Sequence, residues 1–392
     1  MKYKPDQIQT HEIKDATLEV GKFSKKVVHV EAGAPDEDDD TGSGFEQGTM
    51  WIDSSNGAMY ICTDHTAEDS VWHNMEGDDI NLVQYTSGST GYIMTGYSAS
   101  ASPATNITDI SSFPLSSPGN ASDSGDELSQ NIYGGGNAKS PTHVFGIGGR
   151  GGSPSIYRSQ IDAYAVAGGS NSTDWGDLST PRAYMQGGSS PSYGYGIGGY
   201  YTPPASENDT IDRFATDSPG GASDFGNLTT GKMDGGAISD TITSYFFHFG
   251  GREPGPAYVT DIDKTAMTSP SNASDTGAEL VEAIAENSSA ISATYGYSIG
   301  GSPNQDPASS VDKITKFALS STADASDIGN LTAARGNMAH SVESSTHGFG
   351  VGGQGPGDDN ILDRFAFASD GDAADWGNTV ETDNHYNQAA SV

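Results

Sequence analysis

Side chains that commonly carry out catalysis or bind metal ions are few and dispersed in this sequence. Cys62 is the only cysteine, so neither an intrachain disulfide nor a cysteine-rich metal site can form. Acidic runs at 36–40 and 358–359 lack the ligand spacing of a calcium loop, which favours solvated charge. The histidines after residue 130 share no spacing: His143, His248, His340, His347 and His385. We therefore predict no metal, no cofactor and no enzymatic activity.

An Asp-x-Gly sequence recurs at a nearly constant interval. Successive aspartates are 51, 50, 51, 52 and 48 residues apart. An aspartate followed two residues later by glycine is typical of a self-contained turn, because the carboxylate accepts a backbone hydrogen bond and glycine tolerates positive φ. The pattern predicts structural turns at Asp123, Asp174, Asp224, Asp275, Asp327 and Asp375.

Two strand-like series repeat out of phase with these turns. Aromatic-rich segments ending in Gly-Gly lie at 143–149, 193–199, 245–251, 295–301 and 347–353, with a degenerate first copy, GYIMTG, at 91–96. Segments that alternate polar and apolar residues lie at 106–113, 159–164, 210–214, 259–264, 311–317 and 361–365. Alternation with a period of two is the signature of a strand. With a polar strand before Gly-Gly and another after Asp-x-Gly, each unit of about 50 residues contains four strands.

This order of strands resembles the kelch repeat, in which Gly-Gly closes the second strand and aromatic residues mark the third and fourth. The resemblance covers about residues 90–392. It departs from the family where kelch repeats place a tryptophan near the fourth strand, since only Trp175 and Trp376 match. The segments that show it best are Arg182, Tyr193–Gly199, Thr210–Phe214 and Asp224–Leu228.

The resemblance implies an all-β chain in which residues 79–392 form a six-bladed kelch-like β-propeller. A propeller needs a strand that joins its last unit to its first, which removes both free sheet edges. The C-terminal segment after Asp375 has the spacing of a first strand and is favoured for this position. The segment INLVQYT at 80–86 is the competing choice.

Two families of propeller enzymes share parts of this repeat pattern, but the residues that their catalysis requires are missing from this sequence. Sialidases carry repeated Asp boxes but need an arginine cluster, and the seven arginines after residue 90 occur at differing phases of the repeat. Galactose-oxidase-like chemistry needs a tyrosine crosslinked to cysteine, and Cys62 lies outside the repeats. A glycan-acting enzyme is therefore the weakest alternative.

The loops after Gly-Gly differ in length and content from one unit to the next. Variable loops on a repetitive scaffold are the usual place for recognition. Their aromatic and arginine side chains could stack on sugars, pack against a protein, or only shield the mouth of a channel. The candidate recognition face consists of Tyr97, Arg150, Tyr157, Tyr200, Tyr201, Arg252 and Tyr258.

A different pattern precedes the repeats. Asn56-Gly57 between alternating aromatic segments predicts a hairpin, within a three-stranded β-meander at 45–78. The segment Gly48–Asp53, with the sequence Gly-x-x-Trp-x-Asp, resembles a small module of bacteriophage fibre and other virion proteins, over fewer than thirty residues. Residues 1–44 are predicted to form an extended anchor and acidic linker.

Charge separates the N-terminus from the rest of the chain. Residues 1–30 contain six lysines and four acids, whereas the remainder contains 12 basic and 48 acidic residues. The net charge of -34 disfavours nucleic acid and anionic membranes as partners. The sequence contains no apolar run long enough to predict membrane insertion, and no signal sequence that would predict secretion. The predicted anchor residues are Lys14, Lys22, Lys25 and Lys26.

The hypothesis that joins these features is a phage virion structural protein: a fibre, spike or capsid decoration. It would assemble in the host cytoplasm, contact other virion proteins through residues 1–44, form a homo-oligomer in the particle and bind a host-surface glycan or protein. A non-viral kelch-type interaction module or lectin is the alternative.

Overall fold

Strands make up the regular secondary structure of the described residues, apart from one short 3₁₀ helix at Pro307–Ser309. The prediction of an all-β chain is confirmed. The computed structural model divides the chain into two compact units, Met1–Val83 and Gln84–Val392. The residues that it describes are 28–31, 33–35, 45, 48–53, 59–66, 69–74, 89–98, 105–126, 133–151, 156–168, 171–201, 206–255, 257–304, 306–339, 341–356, 360–380, 384–385 and 388–392.

The N-terminal unit contains one four-stranded sheet. Its strands are β1 (Val28–Glu31), β2 (Met50–Asp53), β3 (Met59–Thr66) and β4 (Asp69–Asn74). Strands β2, β3 and β4 pair antiparallel in sequence order, as a meander does. Strand β1 pairs parallel with β2, so the sheet includes a strand from the segment predicted to be an extended anchor. A parallel partner lies far away along the chain, which is why hairpin signals do not reveal it.

A cluster of aromatic residues and the single cysteine form the core of this sheet. Trp51 and Trp72 meet edge to face with ring centroids 5.8 Å apart, and Cys62 is buried beside them. The indole Nε1 of Trp51 donates to the carbonyl of Gly33 at 2.9 Å, which ties the chain after β1 to the core. The motif residue Trp51 is therefore structural.

The second unit consists mainly of four-stranded antiparallel sheets, labelled I to VI. Sheet I contains β5 (Thr90–Ser98), β6 (Thr105–Pro114) and β7 (Ser122–Asp126). Sheet II contains β8 (Gly136–Lys139), β9 (His143–Gly151), β10 (Ile156–Ala165) and β11 (Thr173–Asp177). Sheet III contains β12 (Gln186–Ser189), β13 (Tyr193–Ile197), β16 (Thr210–Ala215) and β17 (Ser223–Asn227), with the ribbon β14 (Tyr200–Tyr201) and β15 (Ser206–Glu207).

The remaining sheets follow the same order. Sheet IV contains β18 (Gly236–Asp240), β19 (Tyr245–Phe249), β22 (Asp261–Ala266) and β23 (Ser274–Glu279), with the ribbon β20 (Arg252–Glu253) and β21 (Ala257–Tyr258). Sheet V contains β24 (Ser288–Ile291), β25 (Tyr295–Ile299), β26 (Lys313–Ala318) and β27 (Ser326–Asn330). Sheet VI contains β28 (Val342–Glu343), β29 (His347–Val351), β30 (Ile361–Ala366) and β31 (Ala374–Asn378).

The C-terminal strands return to sheet I. Strands β32 (Asn384–His385) and β33 (Gln388–Ser391) both pair antiparallel with β5, and Ala390 lies opposite Tyr92. The end of the chain therefore takes the first position in sheet I. The competing segment, 80–86, lies outside the described residues.

In sheets III to VI the Gly-Gly pairs follow the second strands because the chain turns there with positive φ, whereas β9 of sheet II continues through Gly148 and Gly149 to Gly151. In sheet III, Gly198 has φ 60° and Gly199 has φ 104°. A Cβ atom on Gly199 would lie 2.8 Å from the carbonyl oxygen of Ala183, which belongs to the connection before β12. Backbones approach closely here, and a side chain has no room.

The Asp-x-Gly sequences that were predicted as turns lie inside strands. All lie within the fourth strands, β7, β11, β17, β23, β27 and β31, mostly beside a register shift in the pairing with the third strand. In β17 the carboxylate of Asp224 accepts from the Gly226 N–H at 3.0 Å. That local bond suits a β-bulge as well as a turn, so the sequence pattern does not distinguish them.

Neighbouring sheets are joined by hydrogen bonds at these bulges. In five sheets the residue after Asp-x-Gly, and in sheet IV the second residue after it, accepts a backbone bond from the loop between the third and fourth strands of the next sheet. The donor and acceptor pairs are Ser172 and Asp126, Ala222 and Asp177, Ala273 and Asn227, Ala325 and Glu279, Ala373 and Asn330, and Ala121 and Asn378. The last pair joins sheet VI to sheet I.

Aromatic rings fill the space between the same neighbours. One ring of each pair comes from a sheet and the other from the next sheet, with centroids 5.1–6.1 Å apart. Such pairs stabilise by about 1 kcal/mol each beyond the area that they bury. The pairs are Tyr92 and Tyr164, Phe145 and Phe214, Tyr195 and Phe246, Phe249 and Phe317, Tyr297 and Phe365, and Phe349 and Phe113.

Buried ion pairs lie inside three of the sheets. Their distances are 2.8 Å for Arg182 and Asp212, 2.9 Å for Lys232 and Asp263, and 3.0 Å for Arg335 and Asp363. Each joins the connection before a first strand to the third strand of the same sheet. Sheet V has Ile284 and Thr315 at these positions instead, so the cation and the acid are lost together. Arg182 and Arg335 are therefore structural residues.

Candidate functional site

One edge of the second unit gathers the loops after Gly-Gly and the connections before the first strands. Because adjacent strands run antiparallel, the end of each second strand lies beside the start of the first. Isolated bridges join them at Tyr133 and Arg150, Ala183 and Tyr200, Met233 and Arg252, Ala285 and Ser302, and Gly336 and Gln354. We call this edge the recognition face, since the predicted recognition residues lie on it.

Five tyrosine rings form two groups of ring contacts on this face. Ring centroids are 5.3 Å apart for Tyr97 and Tyr133, and 6.3 Å apart for Tyr133 and Tyr184. A second pair, Tyr157 and Tyr200, has centroids 6.0 Å apart. We call these five residues the tyrosine arc. All are half-buried, so each ring is held by its neighbours while part of its surface stays accessible.

Arg150 connects the two parts of the tyrosine arc. Its guanidinium lies 5.7 Å from the ring centroid of Tyr157, and its Nη1 donates to the hydroxyl of Tyr184 at 3.2 Å. Cation–π contacts of this type hold an aromatic surface in place. Burial raises the pKa of Tyr184, which keeps its hydroxyl neutral.

Two carboxylic acids, Asp234 and Glu286, follow the tyrosine arc around the face. They line one cleft together with Gly134, Tyr184, Met185, Asn337 and Met338. The Glu286 N–H donates to the Asp234 carbonyl at 2.5 Å, and the Asp234 N–H donates to the Tyr184 carbonyl at 2.9 Å. Burial raises the pKa of Asp234 to about 7, and burial together with the charge of Asp234 raises the pKa of Glu286 to about 8.

Arg252 and Tyr258 stand beside this acid pair. They lie opposite each other in the ribbon of sheet IV. The charge of Arg252 partly offsets the rise in both carboxyl pKa values. Burial, reinforced by the nearby Glu286 charge, raises the pKa of Tyr258 to about 12, so the phenol is a hydrogen-bond donor. The cleft therefore combines acidic acceptors, a cationic donor and phenol groups.

The residues at the rim of this cleft have an unfavourable backbone conformation. The φ angles are 57° for Tyr184, 58° for Asp234, 61° for Glu286 and 51° for Asn337. Residues other than glycine adopt positive φ at a cost, and such conformations concentrate at functional sites. Gly134 has φ 66° at the same position of sheet II, where glycine avoids the cost.

The structure brings most of the predicted recognition residues into two groups. Tyr97, Tyr157 and Tyr200 belong to the tyrosine arc, and Arg150 connects its two parts. Arg252 and Tyr258 lie beside the acid pair. Tyr201 lies in β14 opposite Ser206. The predicted anchor residues Lys14, Lys22, Lys25 and Lys26 lie outside the described residues.

The sequence did not predict five residues that line the cleft or belong to the tyrosine arc: Tyr133, Tyr184, Asp234, Glu286 and Asn337. A signal was present. When the repeats are aligned, the position just before the first strand holds glycine, tyrosine, aspartate, glutamate and asparagine in turn, while its neighbours are mostly small or apolar. A position that changes chemical type in every repeat is a candidate for function on a repetitive scaffold.

The described residues contain neither a metal-binding cluster nor a membrane-spanning helix. In the part of the chain that the structure describes, no group of three or more histidine, cysteine or acidic side chains could hold a metal ion. Over the same residues, no helix has the length and apolar character needed to cross a membrane.

Comparison with known proteins assigns no family. No protein-family model matches the chain, and no curated protein matches its sequence.

Proposed function

We propose that the chain is a bacteriophage virion structural protein, a fibre, spike or decoration protein. Its sheets I to VI would be the blades of a closed kelch-like propeller, held on the particle by the N-terminal segment. The propeller presents the recognition face to a host-surface glycan or protein. Binding, rather than catalysis, is the role of this face.

Three cyclic series support a closed propeller. The bulge hydrogen bonds, the aromatic pairs and the contacts between first strands each run from sheet to sheet in chain order and return from sheet VI to sheet I. The pairing of β33 with β5 joins the two ends of the repeat region in one sheet. A closed arrangement leaves only short, protected sheet edges, which is the physical advantage of a propeller.

The tyrosine arc is the observation that carries the recognition role. Its half-buried rings and Arg150 form a preorganised aromatic surface, and tyrosine and arginine are enriched where proteins bind their partners. A surface with no partner would more simply be polar, since half-exposed aromatic rings are costly in water.

The separate N-terminal unit supports display on a particle. Its sheet has its own aromatic core around Trp51, so it folds around residues distinct from the repeats. The lysines that precede β1 fit attachment at one end and exposure at the other.

The recognition role is tested by substituting Tyr133 and Tyr184 with alanine together. We expect the purified protein to lose binding to host cells, measured by flow cytometry with the labelled chain, while its melting temperature changes little. Tyr295→Ala is the matched control, because Tyr295 begins the second strand of sheet V and lies at the opposite edge. Equal binding by the double variant and the control would contradict the proposal.

The anchoring role is tested by deleting residues 1–27, which leaves β1 and the N-terminal sheet intact. We expect the truncated chain to fold and to bind cells but to be absent from purified particles. A truncated chain that is incorporated normally would rule out anchoring through this segment. A chain that binds cells but is never found in particles, truncated or not, would favour the non-viral lectin.

A further inference from the structure

One polar atom in the cleft that holds the acid pair, and one beside it, have no hydrogen-bond partner among the described residues. The side chain of Asn337 is 5% exposed, and its Oδ1 has no hydrogen-bond partner among the described residues. The Nε of Arg252 is buried and likewise lacks an acceptor there. A buried polar group without a partner is unfavourable, so each one indicates a place for a water molecule or a ligand.

The arrangement of these groups matches a molecule that both donates and accepts hydrogen bonds. Asp234, Glu286 and Asn337 supply acceptor oxygens along one side of the cleft. Arg252 supplies a donor beside them, and the rings of Tyr184 and Tyr258 flank the acids. Each hydroxyl of a sugar donates one hydrogen bond and accepts another, and the apolar face of a sugar ring packs on tyrosine.

We infer that this cleft binds a neutral saccharide, with adjacent hydroxyl groups donating to Asp234 and Glu286 and one hydroxyl accepting from Arg252. This inference rests on the proposed recognition function and names its ligand class. The strained φ angles of Asp234, Glu286 and Asn337 hold the three acceptors toward one cleft at a cost that a ligand contact explains.

Charge selects a neutral sugar over an acidic one. The net charge of the chain is -34, and two carboxyl groups line the cleft. A sialic or uronic acid would bring a further carboxylate into a site where burial already disfavours the charged form of both acids. Arg252 is the only cation among the groups that act on the acid pair, and its charge also disfavours a metal ion in the same place.

The test is isothermal titration calorimetry of the full chain with a panel of methyl glycosides of glucose, galactose, mannose and N-acetylglucosamine. We expect binding to at least one member. At pH 9, above both raised pKa values, Asp234→Asn and Glu286→Gln should each weaken this binding about tenfold or more, because a charge-assisted hydrogen bond is replaced by a neutral one. Glu282→Gln is the matched control, since Glu282 belongs to sheet V but pairs with Lys313 at the surface.

The outcomes separate this inference from the function that it rests on. Binding to no glycoside of the panel, or binding that neither Asp234→Asn nor Glu286→Gln weakens, would overturn the saccharide site. If the chain still bound host cells, the recognition function would stand with a protein as its partner. If cell binding also failed, both would fall. Calcium chloride titrated alone is the last arm: binding of Ca²⁺ that Glu286→Gln abolishes, without glycoside binding, would replace the saccharide with a metal ion.

Discussion

The contacts between neighbouring sheets and the recognition face are built from the same repeats, yet they vary in opposite ways. At the bulges, an aspartate, a glycine and a backbone hydrogen bond to the next sheet recur with little change. At the start of the first strands, aligned positions hold Gly134, Tyr184, Asp234, Glu286 and Asn337. In both regions the backbone is similar from repeat to repeat. The side chains at the start of the first strands are the ones that change chemical type.

This difference teaches where the repeat is constrained. A contact between two sheets has to fit the preceding and the following unit at once, so a change in one copy disturbs a packed boundary. At the recognition face, Tyr184, Asp234, Glu286 and Asn337 line a cleft, and their residue types differ from unit to unit. Repetition therefore marks structure in this chain, and variation marks the candidate site.

The largest expected effect is at the buried ion pair of sheet VI. Arg335→Met leaves Asp363 buried without its cation and should reduce the free energy of unfolding by about 4 kcal/mol. The double variant Arg335→Ile with Asp363→Thr copies the residues of sheet V and should recover most of that loss. Urea denaturation of the three proteins measures this. A double variant as unstable as Arg335→Met would show that the two positions do not vary as a unit.

The next effect is at a bulge glycine. A Cβ atom on Gly176 would lie 2.2 Å from the carbonyl oxygen of Gly220 in the next sheet, and Gly176 has φ 151°. Gly176→Ala should therefore cost roughly 3 kcal/mol, because the boundary between sheets II and III has to move.

Gly220→Ala is the matched control for that change. Its Cβ would meet no atom within 4 Å, so the same substitution on the other side of the contact should change the unfolding free energy little. Similar losses in both variants, by thermal or urea denaturation, would contradict the view that the bulge contact is the constrained region.

The last effect is a pH dependence that arises from the acid pair. The ordinary pKa values of 3.8 and 4.5 for Asp234 and Glu286 apply to the unfolded chain, whereas the folded values are raised. The folded protein therefore retains protons that the unfolded chain releases. This contribution to stability is full below the ordinary values, falls as pH rises, and is lost once pH passes about 7 and about 8.

Urea midpoints measured across that window check the sign. The double variant Asp234→Asn with Glu286→Gln should show a weaker decline in stability than the natural chain as pH rises. Arg252 and Tyr258 face the same pair and stay in place in both proteins, so the difference isolates the two carboxyl groups. Parallel pH curves would mean that the acid pair does not titrate in this range.

Much of the architecture was predictable because it depends on local periodicity. The Gly-Gly segments predicted second strands, and alternation at 210–214 predicted a third strand, as β13 and β16 show. The parallel strand β1 and the bulges were not predictable. A parallel partner has no turn signal, and Asp224 makes the same local bond in a bulge as in a turn.

By itself, the sequence determined the all-β class, the repeat length and the set of variable loops, since periodicity and glycine positions act over a few residues. Only the tertiary structure decided that Arg182 and Arg335 are buried structural cations while Arg150 and Arg252 reach the recognition face. It also placed Tyr184, Asp234, Glu286 and Asn337 around one cleft. These residues are about 50 positions apart in the chain, and they meet because successive sheets bring equivalent positions of the repeat together.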